Sequence, residues 1–115
     1  MKKLLVFLML LSGICHAQRY DISVNIGGVK IYDTDNTINE PWRGAGFIEL
    51  PDIAETPNCG KSGTKYIATF STSKSELLSA ILAAKMADKT VLVTIDDTVK
   101  YPTGDFCVIQ FFRIK

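Results

Sequence analysis

Histidine is almost missing from this chain, and the one present, His16, lies in a segment expected to be removed. Met1 is followed by Lys2-Lys3, by the apolar run Leu4 to Leu11, and by Ser12-Gly13-Ile14-Cys15-His16-Ala17. A basic start, a short apolar stretch and a small-residue end are the parts of a secretory signal. The run is too short to span a bilayer. We therefore expect residues 1–17 to be a signal peptide cleaved after Ala17, and 18–115 to form one periplasmic or secreted domain. No membrane insertion is expected after cleavage. A lipoprotein reading of Cys15 fails on Ile14, which stands where a small residue is wanted.

Without His16, no Ser-His-Asp or Cys-His nucleophile system can form. No motif singles out a Ser–Lys pair either, so the mature chain is expected not to be an enzyme. An excess of charge is also missing. Lys2 and Lys3 leave with the signal, so 13 basic residues become 11 against 12 acidic, and the net charge passes from +1 to −1. A near-neutral chain lacks the electrostatic footprint of a protein that binds nucleic acid or anionic membrane. Internal repeats, low-complexity stretches and interdomain linkers are absent too, and the length suits one core.

Two cysteines remain, Cys59 and Cys107. With no histidine and no Cys-x-x-Cys spacing, a metal site or a redox pair has little to build on. In an exported chain the pair is expected to be a disulfide. No metal and no cofactor is expected.

The hydrophobic pattern gives the order of elements. Tyr20 to Tyr32 reads as a strand, with Ile22, Val24 and Ile26 alternating before Gly27-Gly28, then Val29 and Ile31 at the other parity. A parity shift across a glycine pair indicates a bulge or bend in one long strand. Asp33-Thr34-Asp35-Asn36 is turn chemistry. Strands are expected at Gly44 to Leu50 and Thr64 to Phe70, separated by a loop from Pro51 to Gly63. Ser73-Lys74-Ser75-Glu76 reads as a capping box. The helix it opens places Leu77, Leu78, Ile81, Leu82 and the stem of Lys85 on one face, and ends near Ala87-Asp88. Thr90 to Ile95 and Phe106 to Ile114 complete the strands, with a loop from Asp96 to Gly104.

The order strand, strand, strand, helix, strand, strand is that of the OB-fold, a small five-stranded barrel with its helix between strands three and four. The alternative is an open α+β sheet with one packed helix. The last two strands carry apolar residues at both parities, at Val91-Leu92-Val93 and at Cys107-Val108-Ile109 with Phe111-Phe112. A strand wetted on one face should alternate. Either the helix and long loops cover the second face, the favoured reading, or another subunit does.

The stretch from Ser75-Glu76-Leu77-Leu78 through Ala83-Ala84-Lys85 to Lys89-Thr90-Val91 resembles a recurring segment of small exported bacterial proteins, mostly uncharacterised. In them a helix of the type LLS-x-LL-AAK-x-x-G-K-x-V precedes a strand, a cysteine-bearing loop and a last strand. Cys59 and Cys107 match their cysteine positions, and Phe111-Phe112-Arg113-Ile114 matches their end. Asp88 stands where many members have glycine, a departure that bears on the helix C-cap. The likeness covers the second half well and the first half loosely. More distantly, strand order and disulfide are similar to the B subunits of pertussis- and subtilase-type toxins. That likeness implies an OB-fold, homo-oligomeric assembly and glycan binding, but no sugar-binding residue of that group can be matched here.

Gly60-Lys61-Ser62 resembles the end of a phosphate-binding loop, but Glu55 stands where the earlier glycine is required and a strand follows instead of a helix. Asp33, Asp35, Asn36, Asn39 and Glu40 could gather around calcium. The EF-hand pattern fails at Ile38 and Gly44, and a polar turn explains them better. The best recognition pair is Trp42-Arg43: an aromatic face beside a planar fork of donors, at a loop-to-strand boundary. The competing and favoured role for Trp42 is to plug a barrel end, because tryptophan is usually well buried. The sequence thus points to an exported, non-enzymatic binding module for a glycan or protein ligand. A monomeric periplasmic accessory or inhibitor is the alternative.

Overall fold

The structure, a computed structural model, describes residues 18–115, so the signal expectation lies outside the described residues. The first long strand is two strands. β1 (Arg19–Asn25) buries Ile22 and Val24 and leaves Asp21 and Ser23 outside, and β2 (Val29–Ile31) resumes after Ile26-Gly27-Gly28. The glycine pair is where the chain changes partner. The Gly27 N–H donates to Glu49 O, and the Glu49 N–H donates back to Gly28 O. A side chain at Gly27 would bring its Cβ to 3.1 Å from that of Glu49.

β3 (Ala45–Leu50), β4 (Lys61–Ser62) and β5 (Lys65–Ser71) follow. Then come α1 (Ser75–Met86), β6 (Thr90–Lys100) and β7 (Cys107–Ile114). Among the described residues the fold is mainly β with one α-helix. One seven-stranded sheet runs β1-β6-β7-β5-β3-β2, with β4 on β5. All pairs are antiparallel except β5 with β7, where Ala68 and Thr69 lie beside Cys107 and Val108. The path starts at β1 and ends at β2, which are consecutive in the chain. No ladder joins them, so the expected five-stranded barrel is not closed by hydrogen bonds. Two halves of one strand lie end to end and cannot pair with each other; each turns its edge to a different neighbour instead.

The main core is aliphatic: Ile22, Val24, Ile48, Leu50, Ile81, Val91, Val93, Ile95 and Ile109 are buried together. α1 contributes Ile81 and Ala84 to it, with Leu77 and Leu78 packed half-buried against it. Leu82 is 37 % exposed, so the buried helical face is rotated from the expected one. Lys85 instead reaches across, its Nζ donating to Ile26 O at 3.3 Å.

The capping box does not form. The N-cap is Lys74, without a side-chain cap bond, while the Ser73 hydroxyl pairs with that of Ser71 at 2.7 Å. β5 runs through Ser71, and Ser73 is consumed in the tight turn that follows, where the Lys74 N–H donates to Ser71 O. At the other end Asp88 has φ +51°, and the Lys89 N–H reaches back to Ala84 O. That is a Schellman-type stop, a left-handed position that glycine fills most cheaply.

β6 is longer than expected and takes in Asp96-Asp97, which do not begin a loop. The β6–β7 register slips between Ile95 and Lys100, and Asp96 satisfies its own neighbourhood by accepting from the N–H and the hydroxyl of Thr98. These bonds, the side-chain one first, hold the Asp96 carboxyl below its ordinary range. Cys59 and Cys107 are joined, Cα atoms 5.4 Å apart, tying the 51–60 loop to the start of β7. Closing a loop with 48 residues of separation contributes about 4 kcal/mol in the chain-entropy picture. A buried disulfide of this kind fits an oxidising compartment.

Candidate functional site

A second, smaller core lies on the other side of β3. Alternation along the strand sends Ile48 and Leu50 to the aliphatic core, while Ala45 and Phe47 go with Ile67 to the second one. Four more aromatic side chains close around these: Tyr32, Trp42, Tyr101 and Phe106. They come from two loops. Residues 32–44 follow β2, and residues 101–106 join β6 to β7.

Trp42 ends a 3-10 turn, Glu40–Trp42, with Pro41 near its start, and its N–H donates to Asn39 O. Tyr101 stacks on it at 4.9 Å between centroids and 14° between planes. Phe47 meets it edge-on at 4.9 Å, Phe106 lies tilted at 5.7 Å and Tyr32 stacks more loosely at 6.4 Å. The Tyr101 hydroxyl donates to Pro41 O at 2.7 Å, so the two loops hold each other.

Between these rings the surface opens into a groove of about 210 Å³, lined by Lys30, Tyr32, Trp42, Phe47, Ser62, Ile67 and Phe106. Among the described residues Lys30 is its only charged lining residue, and no carboxylate lines it. An apolar wall with one cation and the hydroxyls of Ser62 and Tyr32 can hold a ligand that offers an apolar face and a few acceptors.

Of the two residues singled out from sequence, Trp42 reaches the groove and Arg43 does not line it. Arg43 Nε donates to Asn36 O at 2.8 Å, and Nη2 pairs with Glu40 at 3.5 Å, so the guanidinium braces its own loop. One face of Trp42 is taken by Tyr101, and Trp42 and Tyr32 are both half-buried. Tyr32, Phe47, Tyr101, Phe106 and Lys30 were not singled out, and Ser62 was weighed only as part of Gly60-Lys61-Ser62. The available signal was an aromatic residue at each end of both loops: Tyr32 and Trp42, Tyr101 and Phe106.

The other polar candidates are occupied locally. Asp33 accepts from the N–H of Asp35, Asn36 accepts from the N–H of Asn39, and the Asn36 amide donates to Asp33 O. Lys61 and Ser62 form β4 against β5, with the Lys61 ammonium 4.5 Å from the Tyr66 ring centroid. Among the described residues no cluster of His, Cys, Asp or Glu is placed to hold a metal ion, and no helix is long and apolar enough to cross a membrane. Compared with family models, with curated proteins and with solved structures, the chain matches none.

Proposed function

We propose that this chain is an exported, non-enzymatic binding module whose ligand site is the aromatic groove, and that its ligand is a glycan or an exposed segment of a protein. The observation that carries this reading is the groove itself: rings from two loops and a strand, braced against each other, with Lys30 and Ser62 at the rim. Aromatic walls on sugars or side chains supply apolar contact, and the rim fixes orientation.

The frame we read behind it is an OB-like one. Its support is the ladder order, in which the ends of the path are the two halves of the first strand. The parallel pairing of β5 with β7 also fits. Ligand-binding OB-folds present their sites on strands two and three, between the first and last hairpin loops. Here the groove lies on β3 and β5 between residues 32–44 and 101–106. The distant likeness to toxin B subunits is part of the same proposal.

Assembly belongs to it too. Phe112 packs toward the aliphatic core while Phe111 is 50 % exposed, and Ile114 is 42 % exposed. Phe111 lies between two shallow grooves, one against α1 and one beside Arg19 and Asp96. A second copy on this side of β7 would cover it. Sedimentation at high micromolar concentration reads this directly: oligomers that Phe111→Ser converts to folded monomers are expected, and a monomeric wild type leaves the accessory reading. A glycan array read with wild type and Tyr32→Ala tests the groove. We expect binding by the first and its loss in the second. Equal binding by both would remove the groove from the proposal.

A further inference from the structure

The disulfide and the groove are back to back. Cys59 is followed by Gly60, whose N–H donates to Asp105 O at 2.8 Å. A Cβ on Gly60 would lie 2.5 Å from Gly104 O and 2.9 Å from Phe106 Cδ1. The 101–106 loop, which gives the groove Phe106, turns tightly, with left-handed φ at Gly104 (+84°) and Asp105 (+58°). It is closed by the Tyr101 N–H donating to Phe106 O. A Cβ on Gly104 would in turn lie 2.7 Å from the Phe106 ring and 3.2 Å from Trp42 Cη2. Segment 59–60 therefore lies against the turn that sets Phe106, bonded to it through Asp105 O with no room for a side chain at Gly60, and the turn at Gly104 lies as close to Trp42.

We infer that closing the Cys59–Cys107 bond is the step that assembles the groove, so that ligand binding waits for oxidation; this rests on the groove being the ligand site. The chemistry is thiol–disulfide exchange with an oxidised dithiol partner. The two cysteine thiols give up two protons and two electrons, the new S–S bond forms, and the partner's disulfide is reduced to two thiols. Exchange requires access to a sulfur. Cys107 is fully buried once folded and Cys59 half-buried, so the step is an assembly step and not a reversible switch.

Trp42 is the only tryptophan, so its emission reports the groove with no ligand present. The test compares the oxidised mature chain with Cys59→Ser/Cys107→Ser and with oxidised Gly60→Ala. We expect both variants to shift Trp42 emission to the red and to raise its quenching by acrylamide. Amide exchange in β1 and β6 should stay close to wild type in Gly60→Ala, and in the double variant it should rise with the lost cross-link while those strands stay protected. Wild-type quenching in the double variant would overturn the inference, and wild-type quenching in Gly60→Ala would overturn the contact through which the bond acts. If the double variant unfolds, reducing the wild-type bond in native buffer reads the same quantities, and unchanged Trp42 quenching there would overturn the inference. A negative glycan array alongside raised quenching would count against the groove as ligand site and leave its assembly by the bond standing.

Discussion

The two faces of β3 belong to different kinds of core. On one side Ile48 and Leu50 join an aliphatic cluster that α1 covers, with Ile22, Ile81 and Val93 entirely out of water. On the other, Phe47 joins rings that are only partly buried and stop short of closing. Burial of branched aliphatic side chains supplies most of the driving force for folding. Rings that stay half-exposed with polar groups at the rim contribute less to stability and remain free for contact. The difference teaches where stability and recognition reside: one residue alternation along a six-residue strand separates them.

That separation predicts a graded series. The largest effect is expected at Ile81→Ala, about 2–5 kcal/mol lost through a cavity in the aliphatic core, read as a fall in the denaturant midpoint. Tyr32→Ala should cost about 1 kcal/mol or less, as a half-buried ring at the rim, while removing ligand binding. A Tyr32→Ala loss as large as that of Ile81→Ala would erase the contrast. At the helix end, Asp88→Gly relieves a left-handed residue and should raise stability by about 0.5–1 kcal/mol; an unchanged or lowered midpoint would show that Asp88 is held there by other contacts.

Asp21 sharpens the comparison by pH. Its carboxyl accepts from the Thr94 hydroxyl and pairs with Arg19, and these hold it below the ordinary carboxylate range. A depressed folded pKa means the stabilisation is present at neutral pH and fades as pH falls below the ordinary carboxylate value through the depressed one. Asp21→Asn should flatten that part of the acid-stability curve without touching the groove. The smallest effect is expected at Ser73→Ala, within about 0.5 kcal/mol, since the hydroxyl caps nothing in the helix; a loss of 1–2 kcal/mol would restore the capping box.

Much of the frame was legible in the sequence because it rests on periodicity. The alternation of Ile22, Val24 and Ile26, the parity shift at Gly27-Gly28, the position of α1 and the pairing of Cys59 with Cys107 all follow from local pattern or from cysteine count. The failures have local physical causes. Ser73 fits a capping motif, yet the preceding strand claims it for a turn. Asp96-Asp97 looks like a loop start, yet a slip in register lets β6 continue through it. Arg43 looks free beside Trp42, yet the carbonyl of Asn36 and the carboxylate of Glu40 claim it. The groove was half visible. Trp42 stood out as the lone tryptophan, but its partners Tyr32, Phe47, Tyr101 and Phe106 are brought together by strand pairing between distant segments. No local pattern encodes that meeting.

The central claim is that ligand binds between the 32–44 and 101–106 loops. It is tested most directly by titrating a glycan recovered from the array into the oxidised mature chain while recording Trp42 emission. The account predicts a saturable change in emission, with the same midpoint as binding measured by calorimetry, and no change in Tyr32→Ala. Calorimetric binding that leaves Trp42 emission unaltered would place the ligand elsewhere and contradict the account.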